Sequence, residues 1–281
     1  MIKLRACAKI NLTLEVLRQR PDGFHEIRSV LQTIDLHDTL HIQKSEGISY
    51  QCDMEGWSAG KSLVSKTVAL LCKETGYKDG AEIKIEKRIP LMSGLGGDSS
   101  DAAALLHGLN DLWGLSLSDE KLAELAAKLG SDVPFFLRGG TALAEGRGEK
   151  LTPLPSVAGM WLVIIVPDLP MEAGKTGRMY ASLKTSHFTD GNITEKVVDA
   201  LRTGEPIEPS MLFNTFENIA FADSNIKRTY VDHLAKMGAP HVHLAGSGPA
   251  LFTMFKGKAR AEDIYTKCLK QGMKAYLIKT I

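Results

Sequence analysis

Pro90-Leu-Met-Ser93-Gly94-Leu95-Gly96-Gly97-Asp98-Ser99-Ser100-Asp101-Ala102-Ala103-Ala104 is the most informative stretch of this chain. The glycines at 94, 96 and 97 let the backbone take conformations closed to other residues and bring its N–H groups close to a ligand. Hydroxyl residues follow at Ser99 and Ser100, either able to cap an Ala-rich helix predicted over Ser99–Leu112. The first-turn N–H groups and dipole of such a helix favour an anion. This is not a Walker A loop, because no Gly-Lys-Ser/Thr follows at the required spacing. It is also a poor dinucleotide fingerprint: Ser99 stands where the third glycine belongs, and no βαβ unit surrounds it. Without a P-loop lysine, cationic help for a phosphate has to come from elsewhere. Taken alone, the glycines are also compatible with an ordinary Gly-rich turn and a serine cap.

Working outward, Ile10, Leu12, Leu14 and Val16 alternate with Lys9, Asn11, Thr13 and Glu15. That period predicts a half-buried strand with a polar face. Further strands are predicted at Thr39–Gln43, Ala81–Glu86 and Thr141–Ala144, and helices at Leu63–Thr75 and Asp119–Leu129, the latter ended by Gly130. Two prolines in Leu151-Thr-Pro-Leu-Pro155 mark a break. Beyond it, strands are predicted at Trp161–Val166, Val242–Leu244, Ala250–Phe255 and Ala275–Ile281. Helices are predicted at Thr194–Arg202, Ile226–Met237 and Ala259–Lys270. The segment Asp168–Asn192 reads as a long polar loop. Both halves mix strands and helices, which predicts two α+β domains, 1–155 and 156–281.

Composition narrows the function classes. The 281 residues suit two modest domains or one large one, at roughly 150 residues per domain. Lys and Arg number 34 against 33 Asp and Glu, a net charge of +1. Such a balance gives no global field for nucleic acid or an anionic membrane. The longest apolar run, Met160–Val166, is far short of the ~20 residues that span a bilayer. Lys9 and Asn11 interrupt the N-terminus before a secretory apolar core could form. The 4 cysteines are scattered, without ligand spacing. These features predict a cytoplasmic protein with neither a zinc ribbon nor a disulfide framework.

The string Pro-x-x-x-Gly-Leu-Gly-Gly-x-Ser-Ser-Asp-Ala-Ala resembles the ATP-phosphate motif of the GHMP kinases, the superfamily of galactokinase, homoserine kinase and mevalonate kinase. Ala8-Lys9-Ile10-Asn11-Leu12 and Leu244-Ala245-Gly246-Ser247-Gly248-Pro249-Ala250 resemble two further segments of that superfamily, in the same order. The resemblance implies a two-domain α+β architecture. Its N-terminal domain would be ribosomal protein S5 domain 2-like, its C-terminal one a ferredoxin-like sandwich, with the active site in the cleft between them. Arg20-Pro-Asp-Gly-Phe-His-Glu26, Gly130-Ser-Asp-Val-Pro-Phe-Phe136 and Ala144-Glu-Gly-Arg-Gly-Glu149 are similar to one branch in particular. Its members phosphorylate the 2-hydroxyl of a cytidine diphosphate-linked sugar alcohol in non-mevalonate isoprenoid (terpenoid) synthesis. Matching segments run from Ala8 to Ala250.

What the resemblance implies for single residues is specific. Lys9 and Asp132 match the catalytic pair: phosphoryl transfer needs an aligned hydroxyl, a proton acceptor and a cation for the phosphate oxygens. ATP would be held by Pro90, Ser93, Gly94, Leu95, Gly96, Gly97, Asp98, Ser99 and Ser100, with Ser62 and Lys87 near the adenine. Mg²⁺ would arrive through the ATP phosphates, with no protein side chain assigned to it. The nucleotide-sugar alcohol would be held by Asn11, Phe24, His25, Thr176, Tyr180, Gly246, Ser247 and Gly248. Phe24 and Tyr180 would stack on the two faces of the base and His25 would read its polar edge, since a neutral imidazole both donates and accepts. Departures are Phe24 where the family usually has Tyr, Ser62 where it often has Asn, and Asp98 where it commonly has Gly. The Asp98 carboxylate could face solvent or Mg²⁺.

By itself Asp132 also reads as a helix N-cap, Phe24 as a turn hydrophobe, and His241 and His243 as packing histidines rather than metal ligands. Two competing functions remain at this level: another GHMP small-molecule kinase acting on homoserine, mevalonate or a sugar, and a non-catalytic nucleotide-binding sensor. A monomer or weak homodimer is expected, with no nucleic-acid or membrane partner.

Overall fold

A computed structural model describes residues 1–169, 174–222, 226–239 and 241–281. In chain order the elements are β1 (Ile2–Gln19), β2 (His25–Ser45), β3 (Ile48–Cys52), α1 (Leu63–Thr75), β4 (Gly80–Glu86), α2 (Gly97–Trp113) and α3 (Asp119–Leu129). There follow α4 (Val133–Arg138), β5 (Thr141–Gly146), β6 (Lys150–Leu154), β7 (Trp161–Ile165), α5 (Lys175–Ala181), α6 (Asn192–Thr203) and β8 (Phe213–Asn214). The chain closes with α7 (Glu217–Ala220), α8 (Asp232–Met237), β9 (His243–Leu244), β10 (Leu251–Phe255), α9 (Lys258–Lys270) and β11 (Ala275–Lys279). Contacts gather these into two compact units. One comprises Met1–Ala8, Leu36–Leu91 and Gly96–Gly139, the other Lys9–Asp35, Met92–Leu95 and Gly140–Ile281.

In the first unit β4 lies antiparallel to the Thr39–Ser45 half of β2, and β3 runs parallel to β4. Ile83 and Ile85 of β4 and Leu40 and Ile42 of β2 meet one buried face of each helix in a common core. The helices are locally well specified. On α1, Val64, Val68 and Leu71 recur at helical spacing, the Ser62 hydroxyl accepts from the Val64 N–H at 3.1 Å, and Gly76 ends the helix with φ 71°. On α3, Asp119 and Glu120 sit in the first turn and Lys128 in the last, matching the helix dipole.

In the second unit Ile27–Gln32 of β2 pairs antiparallel with β5, β5 pairs with β6, and β8 runs parallel to β1 at Thr13 and Leu14. A separate antiparallel sheet has the order β11-β7-β10-β9. With its strands in that order it follows the ferredoxin-like βαββαβ pattern. Leu234 of α8 and Ala261, Ile264 and Cys268 of α9 pack against Val163 and Ile165 of β7.

Four local expectations change. The polar row of β1 does not face solvent: Lys9 and Asn11 are each 4% exposed, Thr13 and Glu15 not at all. The stretch marked as a proline break contains β6, with Pro153 opposite Ala142; among the described residues β6 pairs only with β5, and an edge strand tolerates a residue that cannot donate. The Ile226–Met237 helix is a wide π-type turn over Lys227–Val231 followed by α8. The Asp168–Asn192 loop contains α5 and a short 3₁₀ turn at Thr185–His187, while residues 170–173 of it lie outside the described residues.

The buried Glu15 explains how α6 is placed. The helix begins after Gly191 with no side-chain cap of its own, yet the Thr194 N–H donates to Glu15 Oε2 at 2.6 Å. A carboxylate on β1 thus satisfies a first-turn donor of a helix almost 180 residues further on. Glu15→Ala should therefore lower the unfolding free energy by about 1–3 kcal/mol by orphaning that donor. Glu195→Ala, which removes only a partly exposed ion pair with Arg28, should cost less than about 1 kcal/mol. Urea midpoints of the two variants check this; equal shifts would contradict it.

Candidate active site

The first half of the glycine loop is fixed by backbone contacts within the second unit. The Lys9 N–H donates to the Leu95 carbonyl at 2.9 Å, and the Ala250 N–H to the Ser93 carbonyl at 3.0 Å. Gly94 has φ 87°, and a Cβ there would lie 2.1 Å from the Ala245 carbonyl oxygen. Gly246 has φ 56°; a Cβ there would lie 2.9 Å from the Gly94 oxygen and 3.3 Å from Lys9 Nζ. Glycine is thus required on both sides of this contact, and its absence of side chains lets the loop, the 244–250 turn and the Lys9 ammonium close on one another. Lys9 Nζ donates to Asn11 Oδ1 at 2.8 Å. Lys9, Asn11, Gly94 and Gly246, four residues carried by the resemblance, are brought together here.

Two residues that sequence reasoning missed hold the late turn. Asn214 Nδ2 donates to the Leu244 carbonyl at 2.9 Å and the Gly246 carbonyl at 2.8 Å, with the side chain buried. Glu217 Oε1 accepts from the Leu244 N–H at 2.9 Å and lies 3.2 Å from His243 Nδ1. No motif marks either residue in the sequence. His243 is a packing histidine, as read, although it does have this carboxylate partner. Its ring also lies against that of His241 at 6.3 Å.

The second half of the loop opens α2 in the first unit. The helix starts at Gly97, with Gly96 as its N-cap, so Ser99 and Ser100 are first-turn residues and not caps. The Ser100 hydroxyl donates to the Cys7 carbonyl at 2.7 Å and is buried; Ser99 is half-buried. Asp98, partly buried, has protein partners on both oxygens. One oxygen accepts from the Ser62 hydroxyl and the other from the Leu63 N–H at 2.9 Å, so the carboxylate caps α1. Ser62 is accordingly engaged with Asp98, the Val64 N–H and the helix start.

Lys87 has internal partners that its sequence context does not show. Its ammonium is buried against Asp38 Oδ2 at 2.5 Å and Asp101 Oδ2 at 2.7 Å, forming an internal ion cluster. Asp38 Oδ1 also accepts from the Arg88 and Ile89 N–H groups, at 2.5 and 2.8 Å. Burial pulls the Lys87 pKa down, but the charges of Asp101 and Asp38 outweigh it and the net shift is upward. Burial pushes the Asp101 carboxyl well above its ordinary value, against the pull of Lys87, and the Asp38 charge pushes the same way. Among the described residues Asp101 Oδ1 has no hydrogen-bond partner. The cluster lies directly beneath the start of α2: a Cβ at Gly97 would be 3.4 Å from Lys87 Nζ.

Asp132 immediately precedes α4 with helical backbone angles, and its side chain makes no capping hydrogen bond to that helix. It is half-buried. Among the described residues no group of three or more His, Cys, Asp or Glu side chains comes together as a metal site.

The proposed base-reading residues sit around the Arg20–Glu26 turn, which Asp22 closes by accepting from the Phe24 N–H at 3.1 Å. Phe24 is 52% exposed, with the Arg147 guanidinium 4.6 Å from its ring centre. His25 stacks on Tyr180 with ring centres 4.9 Å apart and an angle of 26°. Tyr180 in turn meets Phe216 edge-on at 4.8 Å. Each of the two expected sandwiching rings thus has a protein partner of its own, Arg147 for Phe24 and His25 for Tyr180. Burial lowers the His25 pKa below its ordinary 6.5, which keeps the imidazole neutral at pH 7. Thr176 and Ser247 are hydrogen-bonded through their hydroxyls at 2.9 Å. Gly248, with φ 74°, lies in the same turn as Ser247.

A model of the N-terminal domain of GHMP kinases matches residues 62–140. Over 281 residues the chain is 47% identical to the 4-diphosphocytidyl-2-C-methyl-D-erythritol kinase of Dehalococcoides mccartyi, covering 100% of this chain and 99% of that one. It is 38% identical over 288 residues to the protein of the same name from Gloeobacter violaceus, covering 99% and 94%. A crystal structure of 4-(cytidine 5'-diphospho)-2C-methyl-D-erythritol kinase superposes with a TM-score of 0.83 at 30% identity, covering 99% of each chain. The mevalonate kinase of L. major, at 17% identity and a TM-score of 0.75 over 100% and 96%, shares the fold. The architecture is that of a GHMP kinase. Within that class, the chain belongs to the family of 4-diphosphocytidyl-2-C-methyl-D-erythritol kinases.

The ion cluster under α2 gives a direct test of its structural role. Lys87→Met leaves two buried carboxylates without their cation and should destabilise the fold by about 3–5 kcal/mol. Asp101→Asn should be better tolerated, because the amide oxygen can still accept from Lys87 while Asp38 keeps the ammonium paired. Urea denaturation of both variants reads the difference; a Lys87→Met midpoint equal to wild type would contradict it.

Proposed function

We propose that this chain transfers the γ-phosphoryl group of ATP to the 2-hydroxyl of 4-diphosphocytidyl-2-C-methyl-D-erythritol. The observation that carries the reading is full-length kinship: 47% identity over 100% of the chain to a protein of that name. In this reading residues 1–155 form the ATP-binding domain and 156–281 the C-terminal domain of a cytoplasmic enzyme, monomeric or weakly dimeric. The step breaks the bond from the β,γ-bridging oxygen to the γ-phosphorus and forms one from the substrate oxygen, with ADP leaving. Asp132 aligns that hydroxyl and takes its proton late, as suits a loose transition state. Lys9 offsets charge on the transferring group. Backbone N–H groups of the Gly94–Gly97 loop and the first turn of α2 hold the phosphates, together with Ser93 and Ser99. Mg²⁺ enters with the phosphates; Asp98 caps α1 and is not assigned to it.

Recognition of the cytidine end falls to Phe24, His25 and Tyr180, with Asn11, Thr176, Gly246, Ser247 and Gly248 around the rest of the substrate. The neutral His25 can donate at one nitrogen and accept at the other, which suits a neutral base. A base entering this region has to displace Arg147 from Phe24 or His25 from Tyr180, or stack on the rings' other faces. Stacking of this kind contributes about 1–3 kcal/mol.

The test is Mg²⁺-dependent ADP release measured in parallel with the cytidine compound, mevalonate, homoserine and galactose. Release is expected with the cytidine compound alone. Release with one of the others and not with it would overturn the substrate, and no release with any would favour a non-catalytic nucleotide sensor.

A further inference from the structure

The inner face of β1 carries a hydrogen-bond relay with only one possible direction. Lys9 Nζ has nothing but protons to offer, so the side chain it meets must present an acceptor. It meets Asn11 Oδ1 at 2.8 Å. An asparagine amide has nearly the same shape either way round, and a reversed amide would set N–H groups against the ammonium. What prevents the reversal lies one residue further on, in β2. Asn11 Nδ2 donates to Ser29 Oγ at 2.8 Å, and the Ser29 hydroxyl donates to the Thr13 carbonyl at 2.6 Å. A backbone carbonyl can only accept, so the single Ser29 proton is committed to it. Ser29 can therefore show Asn11 only a lone pair, and Asn11 must turn its oxygen to Lys9.

All three side chains are buried: Ser29 is fully enclosed, and Asn11 and Lys9 are each 4% exposed. Solvent is thus kept from offering the amide an alternative acceptor. The relay also begins and ends on the same strand, since Lys9 and Thr13 both belong to β1. Thr13 is held in turn: its hydroxyl accepts from the Val30 N–H at 3.1 Å and bonds to the Thr194 hydroxyl at 2.9 Å.

We propose that Ser29 is a positioning residue for phosphoryl transfer, acting through Asn11 to fix the Lys9 ammonium. The proposal rests on the reading of Lys9 as a catalytic residue. Misplacing a reacting group by about 1 Å can cost on the order of 100-fold in rate, so Ser29→Ala should lower kcat about 10- to 100-fold. The KM for ATP should stay unchanged, because the glycine loop is held by other contacts. Ser29→Thr, which keeps the hydroxyl on a residue suited to a strand, should restore most of the rate. Ser29→Cys offers a poor acceptor of similar shape and should fall near the alanine variant; it carries the test if Ser29→Ala does not fold by thermal unfolding.

The decisive readout is the double variant. If Ser29 acts through Asn11, adding Ser29→Ala to Asn11→Ala should lower kcat no further. Wild-type turnover in Ser29→Ala, or losses that multiply in the double variant, would overturn the positioning role. Lys9→Ala is measured alongside. An inactive Lys9→Ala with a fully active Ser29→Ala removes Ser29 alone, whereas a fully active Lys9→Ala removes the catalytic reading and the positioning role with it.

Discussion

An ammonium placed on the inner face of a β-strand has to be held by groups that are themselves held. That constraint organises the polar interior of the second unit. Lys9, Asn11, Thr13 and Glu15 alternate along β1 and are all buried, which would be costly if any were left without partners. Asn11 takes the ammonium, Ser29 takes the Asn11 amide, and the Thr13 carbonyl takes the Ser29 proton. Further along, Glu15 takes a first-turn donor of α6, and Thr13 and Thr194 join their hydroxyls. The row is a single connected network linking one end of β1 to the placement of a distant helix. Among the described residues, Glu15 Oε1 finds no hydrogen-bond partner.

Around Lys9 the backbone does what side chains could not. A Cβ at Gly94 would run into the Ala245 carbonyl, and one at Gly246 would crowd the Gly94 oxygen and the ammonium. The closeness that brings Lys9 to the loop is therefore available only to glycine. Asn214 and Glu217 then fix the late turn from below by binding its backbone groups. In the first unit the parallel role belongs to charges. Lys87, Asp38 and Asp101 secure the strand end and the helix that lead into and out of the loop, and Asp98 joins the start of α2 to the start of α1.

Much of this was legible in the sequence, and the failures share a cause. Helices with caps and a clear apolar face, such as α1 and α3, were read to their ends because local signals agree there. The Lys9–Glu15 alternation marks a strand that is half-buried with one polar face, whereas both faces of it are buried. Period two says which residues share a face and not what covers it. Pro153 reads as a break because an edge position cannot be told from a central one by composition. The resemblance places Lys87 and Asp98 near the nucleotide but reports nothing of their partners within the protein. Their partners, Asp38, Asp101, Ser62 and the Leu63 N–H, are set by long-range packing that no local pattern reports. Asn214, Glu217 and Ser29 were missed for the same reason: each acts on backbone or on another side chain and carries no motif of its own.

The central claim is that the Lys9 ammonium is buried and hydrogen-bonded to an asparagine whose orientation is fixed. Side-chain ¹⁵N NMR of the lysine ammonium groups tests it most directly. Exposed ammonium protons exchange with water too fast to be seen at neutral pH, whereas a buried, bonded one persists. A protected Lys9 Nζ resonance that disappears in Asn11→Ala is the predicted result. A folded wild-type protein with no protected ammonium resonance at Lys9 would contradict the account.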